Sequence, residues 1–185
     1  MQKKSAPTRE ELSARWVAKA LGQTTGTLYH HWGSFDAFLL EVSGIGWQRL
    51  VASVVAAYEN EPTARTLVRS YIEFALAHPV LYWLLAERPL PRDLVRERLA
   101  RGEALPSHVA FQDFVRLLGR LAPEGAIDLA GARALHAAAH GLASQLLSGR
   151  LVSTPDVARE DERVVAHAVA DAIVQLTGLD PPRRR

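Results

Sequence analysis

The chain has 185 residues, 48% of them hydrophobic and 23% charged, the balance of an ordinary globular protein and not of a disordered one. With no cysteine it has neither a disulfide framework nor a thiolate metal site, and it fits a reducing compartment. The net charge of +2 is unevenly spread: Lys3, Lys4, Arg9, Arg15 and Lys19 against Glu10 and Glu11 leave residues 1–33 at +3, so the remainder sums to −1. A basic end on a near-neutral body fits a polyanionic partner. No uninterrupted apolar run approaches the ~18 residues of a membrane span, and the N-terminus lacks the apolar core of a secretory signal, so a cytoplasmic protein with no membrane partner is expected.

In chain order, nearly every segment has helical periodicity and none alternates as a strand would. Ser13 to Leu21 reads as a short helix with Val17, Ala18 and Leu21 on one side. Gly22 supplies the turn, and Thr24 or Thr25 can cap the next short helix, anchored inward by Leu28. Ser34 opens a long helix in which Phe35, Phe38, Leu39, Val42, Leu50, Val51, Val54 and Tyr58 keep helical spacing, with Gly44 and Gly46 weakening its middle. Pro62 opens a helix bearing Leu67, Tyr71, Phe74 and Ala75, which ends at His78-Pro79. "PVLYWLLA" is a short buried helix, and Pro89 and Pro91 break the chain.

Ser107 begins a helix carrying Phe111, Phe114, Val115, Leu118 and Leu121, closed by Pro123 and Gly125. Asp128 caps an alanine-rich helix to Leu147. Thr154-Pro155-Asp156 starts a last helix with Val157, Val164, Val165, Ala168, Val169, Ala172, Ile173 and Leu176, stopped by Gly178. There are no internal repeats, and both ends, MQKKSAP and DPPRRR, are expected to fray. The architecture expected is all-α: a small helix-turn-helix head, residues 1–45, on a larger helical bundle, residues 46–180.

The stretch "SARWVAKALGQTTGTLYHHWGSFDAFLLEV" resembles the helix-turn-helix of the tetracycline-repressor family of transcription regulators. The resemblance lies in the small residue opening the first helix, A-x-x-L-G before the turn, and G-T-L-Y-x-H followed by an aromatic. "HPVLYWLL" and "AAAHGLASQLLSGRL" are similar, more weakly, to one of the family's ligand-binding domains. The resemblance implies a homodimer whose heads enter successive major grooves of a palindromic operator in double-stranded DNA, and a body that releases DNA when a small-molecule effector binds. It also implies a lysine after the serine of the long helix, where this chain has Phe35, and a full helix ahead of Ser13. Here "TREEL", with Thr8 and Glu11 as a capping box, runs straight into "SARWVAKAL". Read literally, residues 9–21 form one continuous helix, and Val17, Leu21, Leu28 and Trp32 lack a covering partner.

The residues carry the same reading. Thr24 and Thr25 stand where hydroxyls and the free N–H groups of a helix start bind phosphate. Gly26 and Thr27 are small enough for the backbone to approach a groove, and the Thr27 methyl suits a thymine. Tyr29 offers a hydroxyl to phosphate, His30 and His31 can donate to base edges, and Arg15 reaches the flanking backbone.

In the body, Tyr71, Phe74, Tyr82, Trp83, Phe111 and Phe114 form an aromatic set suited to an apolar or amphipathic effector, with His78, His136 and His140 as polar handles. For any one of them plain core filling is the competing explanation. His136 and His140, four apart, share a helix face but have no third ligand near in sequence, so neither a metal nor any cofactor is expected. Ala130, Ala134, Ala137, Ala138, Gly141 and Ala143 make one helix nearly smooth. Leu135, Leu142 and Leu146 there, and Val165, Val169 and Ile173 on the last helix, are the expected dimer surface.

No phosphate-binding loop, dinucleotide glycine signature, nucleophile elbow or H-E-x-x-H occurs, so an enzyme is not expected. The function expected is a ligand-responsive transcriptional repressor. The alternative is a helical ligand-binding or scaffolding homodimer that has lost specific DNA binding.

Overall fold

The computed structural model describes residues 7–121, 128–150 and 159–177, and within them the protein is helical throughout, with no strand. Its α-helices are α1 (Ala14–Leu21), α2 (Thr25–Trp32), α3 (Phe35–Asn60), α4 (Ala64–Ala77), α5 (Pro79–Tyr82), α6 (Arg92–Ala100), α7 (Pro106–Leu121), α8 (Leu129–Leu147) and α9 (Arg159–Leu176), with a π-helical turn at Trp83–Glu87 after α5. The chain divides into two compact units: residues 1–48 with 80–109, and residues 49–79 with 110–185. Residues 80–109, assigned from sequence to the body, thus cluster with the helix-turn-helix.

Start signals in the sequence explain the first unit. Thr8 and Glu11 close a reciprocal capping box, amide to carboxylate at 2.9 Å and amide to hydroxyl at 3.3 Å. Only a single turn follows, because Ser13 is extended and its Oγ accepts the Trp16 amide at 3.2 Å, resetting the chain into α1. The continuous helix over residues 9–21 is therefore not formed. Val17 and Leu28 do find cover, from Leu12, Ala14, Trp16, Phe35 and Phe38, while Leu21 stays 58% exposed and Trp32 36%.

Gly22 ends α1 at φ +67°, a left-handed conformation that costs a side-chain-bearing residue about 1 kcal/mol or more. Thr24, not Thr25, caps α2 by accepting the Thr27 amide at 3.2 Å, and Ser34 caps α3 by accepting that of Ala37 at 3.0 Å. Helix α3 runs unbroken past Gly44 and Gly46. They are approach points: a Cβ on Gly44 would lie 3.1 Å from Pro106, and one on Gly46 only 2.9 Å from Leu81 and 3.0 Å from Leu85.

By length and composition α3 is apolar enough to cross a membrane, which the uninterrupted-run criterion missed. Its apolar positions Leu39, Leu40, Trp47, Leu50, Val54 and Tyr58 are buried, as in the core helix of a globular protein.

The second unit is built on α4, α8 and α9, which pack on one another. Thr63 caps α4, one residue after Pro62, and the pre-proline residue His78 ends it. Asp128 caps α8, accepting the Gly131 amide at 2.7 Å. Ile72, Ala75, Ala132, Ala143, Ala166, Ala170 and Val174 are fully enclosed, so alanines at the crossings let the helix axes come close.

Two ionic clamps join α4 to α9. Arg69 grips Asp171 with both arms, at 2.9 and 2.6 Å, with Arg65 at 3.3 Å from the same carboxylate. Glu73 receives Arg163 at 3.1 and 2.6 Å and the His167 ring at 2.9 Å. The expected helix start at Thr154-Pro155-Asp156 and stops at Pro123, Gly125 and Gly178 lie outside the described residues, as do both chain ends.

Candidate functional site

Helix α2 turns only Leu28 inward, where it is 3% exposed. The whole expected DNA-reading set faces solvent wholly or in part: Thr24, Thr25, Gly26, Tyr29, His30 and His31 are exposed, Thr27 is half-buried, and Arg15 on α1 is exposed. The structure thus brings Thr24 to His31 onto one short helix and its cap, anchored by a single leucine. The Thr24 hydroxyl serves the Thr27 amide and lies 3.1 Å from the Thr27 hydroxyl, so the amides of Thr25 and Gly26 are the helix-start donors left for an anion.

Gly26 is not glycine for internal reasons. A Cβ there would meet nothing nearer than the Thr24 Oγ1, at 3.5 Å, an ordinary contact. Its missing side chain leaves room on the outside. Rings follow one another along the end of this helix: His30 to His31 at 5.5 Å, His31 to Trp32 at 5.7 Å and Trp32 to Phe38 of α3 at 5.0 Å. Phe35, where the family resemblance implies a lysine, stacks on Phe38 at 5.9 Å.

The aromatic set expected to form the effector site is divided. Tyr82 and Trp83 belong to the first unit, where Tyr82 is fully enclosed, and only Tyr71, Phe74, His78, Phe111, Phe114 and His140 belong to the second. There His136 is the centre: Tyr71 and Phe111 meet its imidazole edge-on at 5.7 Å each, and Phe114 at 6.0 Å. Burial, and next the charge on His140, hold the His136 pKa below its ordinary value, so a neutral ring sits among the aromatics. It lies one turn before His140, on the side of α8 that meets Tyr71 of α4. His78 lies apart, exposed at the end of α4, with its ring 4.9 Å from Phe74.

The expected dimer surface needs correction. Leu135, Leu142 and Leu146 are 1%, 5% and 7% exposed, and fill the core of their own unit. Apolarity alone does not separate an interface from a core. On α9, Val165, Val169 and Ile173 are half-buried and keep some surface. The accessible face of α8 carries Ala130, Ala134, Ala137 and, half-buried, Gly141, where an added Cβ would meet nothing within 4 Å.

These features define an all-helical protein with a short, capped, outward-facing helix in one unit and a helical core in the other. Residues 64–172, more than half of the chain, match the family described as "Tetracyclin repressor-like, C-terminal domain". The chain belongs to the tetracycline-repressor family of transcription regulators.

Solved structures share the fold. SCO4313, provisionally assigned as a regulatory protein, is 16% identical with a TM-score of 0.63, covering 90% of this chain and 87% of its own. PfmR, a family regulator from Thermus thermophilus, is 22% identical with a TM-score of 0.58, covering 90% of each chain. A protein of unknown function from Rhodococcus sp. RHA1 is 24% identical with a TM-score of 0.61, covering 90% and 84%. A search of curated proteins returned no match.

Proposed function

We propose that the protein is a cytoplasmic, homodimeric repressor that reads a palindromic operator with α2 and releases it when a small apolar or amphipathic effector binds. The observation that carries DNA reading is the outward face of α2. Thr25, Gly26, Tyr29, His30 and His31 are exposed together, and no internal contact requires Gly26 to lack a side chain. Amides at the helix start and the Tyr29 hydroxyl take phosphates, while His30 and His31 reach base edges and Arg15 steadies the flanking backbone.

The dimer rests on the small-residue face of α8 with Val165, Val169 and Ile173 of α9, which against the same pair of a second chain form a two-fold four-helix bundle. The effector site rests on the aromatic ring about His136 and, one turn on, His140. Effector and DNA then oppose each other through a shared conformational equilibrium. No step calls for a cofactor, a metal or turnover.

A mobility-shift titration with duplexes spanning the region upstream of the protein's own gene tests the reading. Tyr29→Phe weakens binding to all sequences alike. His31→Ala costs about 1–3 kcal/mol at particular base pairs and relaxes preference there. Uniform losses for both variants, or a shift that salt abolishes without sequence preference, favour the scaffolding homodimer instead. Sedimentation of Ala137→Glu checks the interface: it yields monomers if the smooth α8 face is the contact.

A further inference from the structure

The first unit holds a candidate site of its own, made of residues other than the aromatic set about His136. A half-open cavity of about 320 Å³ lies among the end of α2, the start of α3 and α6. Trp32, Leu40 and Leu94 give it an apolar wall, and His31, Arg98 and Arg101 stand at its polar side with Glu41. The volume sits at the lower end of the range for small-molecule sites, and the mixture of one flat aromatic wall with convergent cations is that of a site for an amphipathic anion.

The two arginines are held differently. Arg98 is only 21% exposed, ion-paired with Glu41 and 3.8 Å from Glu103, and so is fixed in place. Arg101 is 58% exposed, and its partner is Glu103, two residues on and itself 43% exposed, at 2.6 Å. An ion pair between two neighbouring surface side chains is worth little in water, so it exchanges readily for a carboxylate that also gains an apolar wall. Glu41 stays with Arg98, which leaves one exchangeable positive charge and selects a monoanion. A cationic ligand would face two guanidinium groups. Trp32, 36% exposed at the cavity, offers its ring for stacking.

We propose that this cavity binds a small planar carboxylic acid, its carboxylate taking Arg101 from Glu103 and its ring lying against Trp32 and Leu94. His31 lines the same cavity, so occupation alters the residue assigned to base reading. That consequence rests on the proposed role of α2, whereas binding itself does not. A ligand here acts on the reading helix directly, without any change in the body.

The test titrates the free full-length protein with 2-naphthoate and, separately, with its neutral counterpart 2-naphthamide, following the Trp32 indole N–H and the His31 ring by NMR. The expected result is saturable movement of both signals by the acid, with the amide at least tenfold weaker. Arg101→Gln weakens the acid at least tenfold, and Leu94→Trp, which fills the cavity, abolishes binding while thermal melting stays cooperative. Equal affinity for acid and amide, unchanged affinity in Arg101→Gln, or no saturation overturns the proposal. So do acid-induced shifts confined to Tyr71, Phe111 and Phe114, which place binding in the body. Duplex DNA moving the Arg101 signals while the acid does not overturns it as well, and gives the arginines to the DNA backbone.

Discussion

Helices α2 and α8 solve opposite problems. Of the eight residues of α2 only Leu28 is buried, and the rest of its chemistry is turned outward. On α8 six residues, Ala132, Leu135, Ala139, Leu142, Ala143 and Leu146, are buried, and what remains outside is mostly small. Where packing explains almost nothing about a helix, its side chains are evidence about a partner. Where packing explains nearly everything, the same apolar residues say little beyond the core they fill.

The largest effect expected from this contrast is on stability. Leu135→Ala removes about 2–5 kcal/mol, read as a lower urea midpoint for the whole second unit. Leu28→Ala instead speeds amide exchange in α1 and α2 while α8 amides keep their protection. Equal loss of protection everywhere for both variants would break the comparison.

Next comes Gly46→Ala, whose methyl would press on Leu81 and Leu85 and costs about 1–3 kcal/mol, measurable by the same unfolding titration. An unchanged midpoint would mean that the two leucines turn aside freely.

A smaller effect follows from His136. Its pKa is lowered in the folded state, so the unfolded chain binds the proton more readily. The stability from keeping the ring neutral is fully present above its unfolded value of about 6.5 and is lost as pH falls below it. Thermal melts from pH 7.5 to 5.5 therefore drop, and His136→Leu flattens that part of the slope.

The smallest change sharpens the comparison most. Gly26→Ala stabilises α2 by about 0.5–1 kcal/mol, because an exposed helical glycine gains from a methyl, yet it weakens duplex binding. A variant both more stable and a tighter DNA binder would remove the argument for close approach at that position.

Much of the fold was legible because helix signals are local. Ser13, Thr24, Ser34 and Asp128 each cap as their hydroxyl or carboxylate permits, and Gly22 turns the chain as expected. Helix α6 was not legible: "RDLVRERLA" is charged, buries no residue and has no apolar period to detect. The exposed α2 face was readable from residue type and order. The dimer leucines and the central place of His136 were not, since both depend on which helix lies opposite, a non-local fact. The clamps of Arg69 on Asp171 and of Arg163 on Glu73 span 102 and 90 residues for the same reason.

Arg9 links two distant stretches of chain within the first unit. Its guanidinium lies 5.9 Å over the Trp83 ring and 3.5 Å from Glu87, so the segment ahead of α1 is pinned to the π-helical turn. A trypsin-like protease must lift this arginine off its indole before it can cut the following bond. The rate of nicking at Arg9 therefore serves as a gauge of whether a coil more than seventy positions downstream is intact. A point change in that coil will register as faster clipping at the front of the chain.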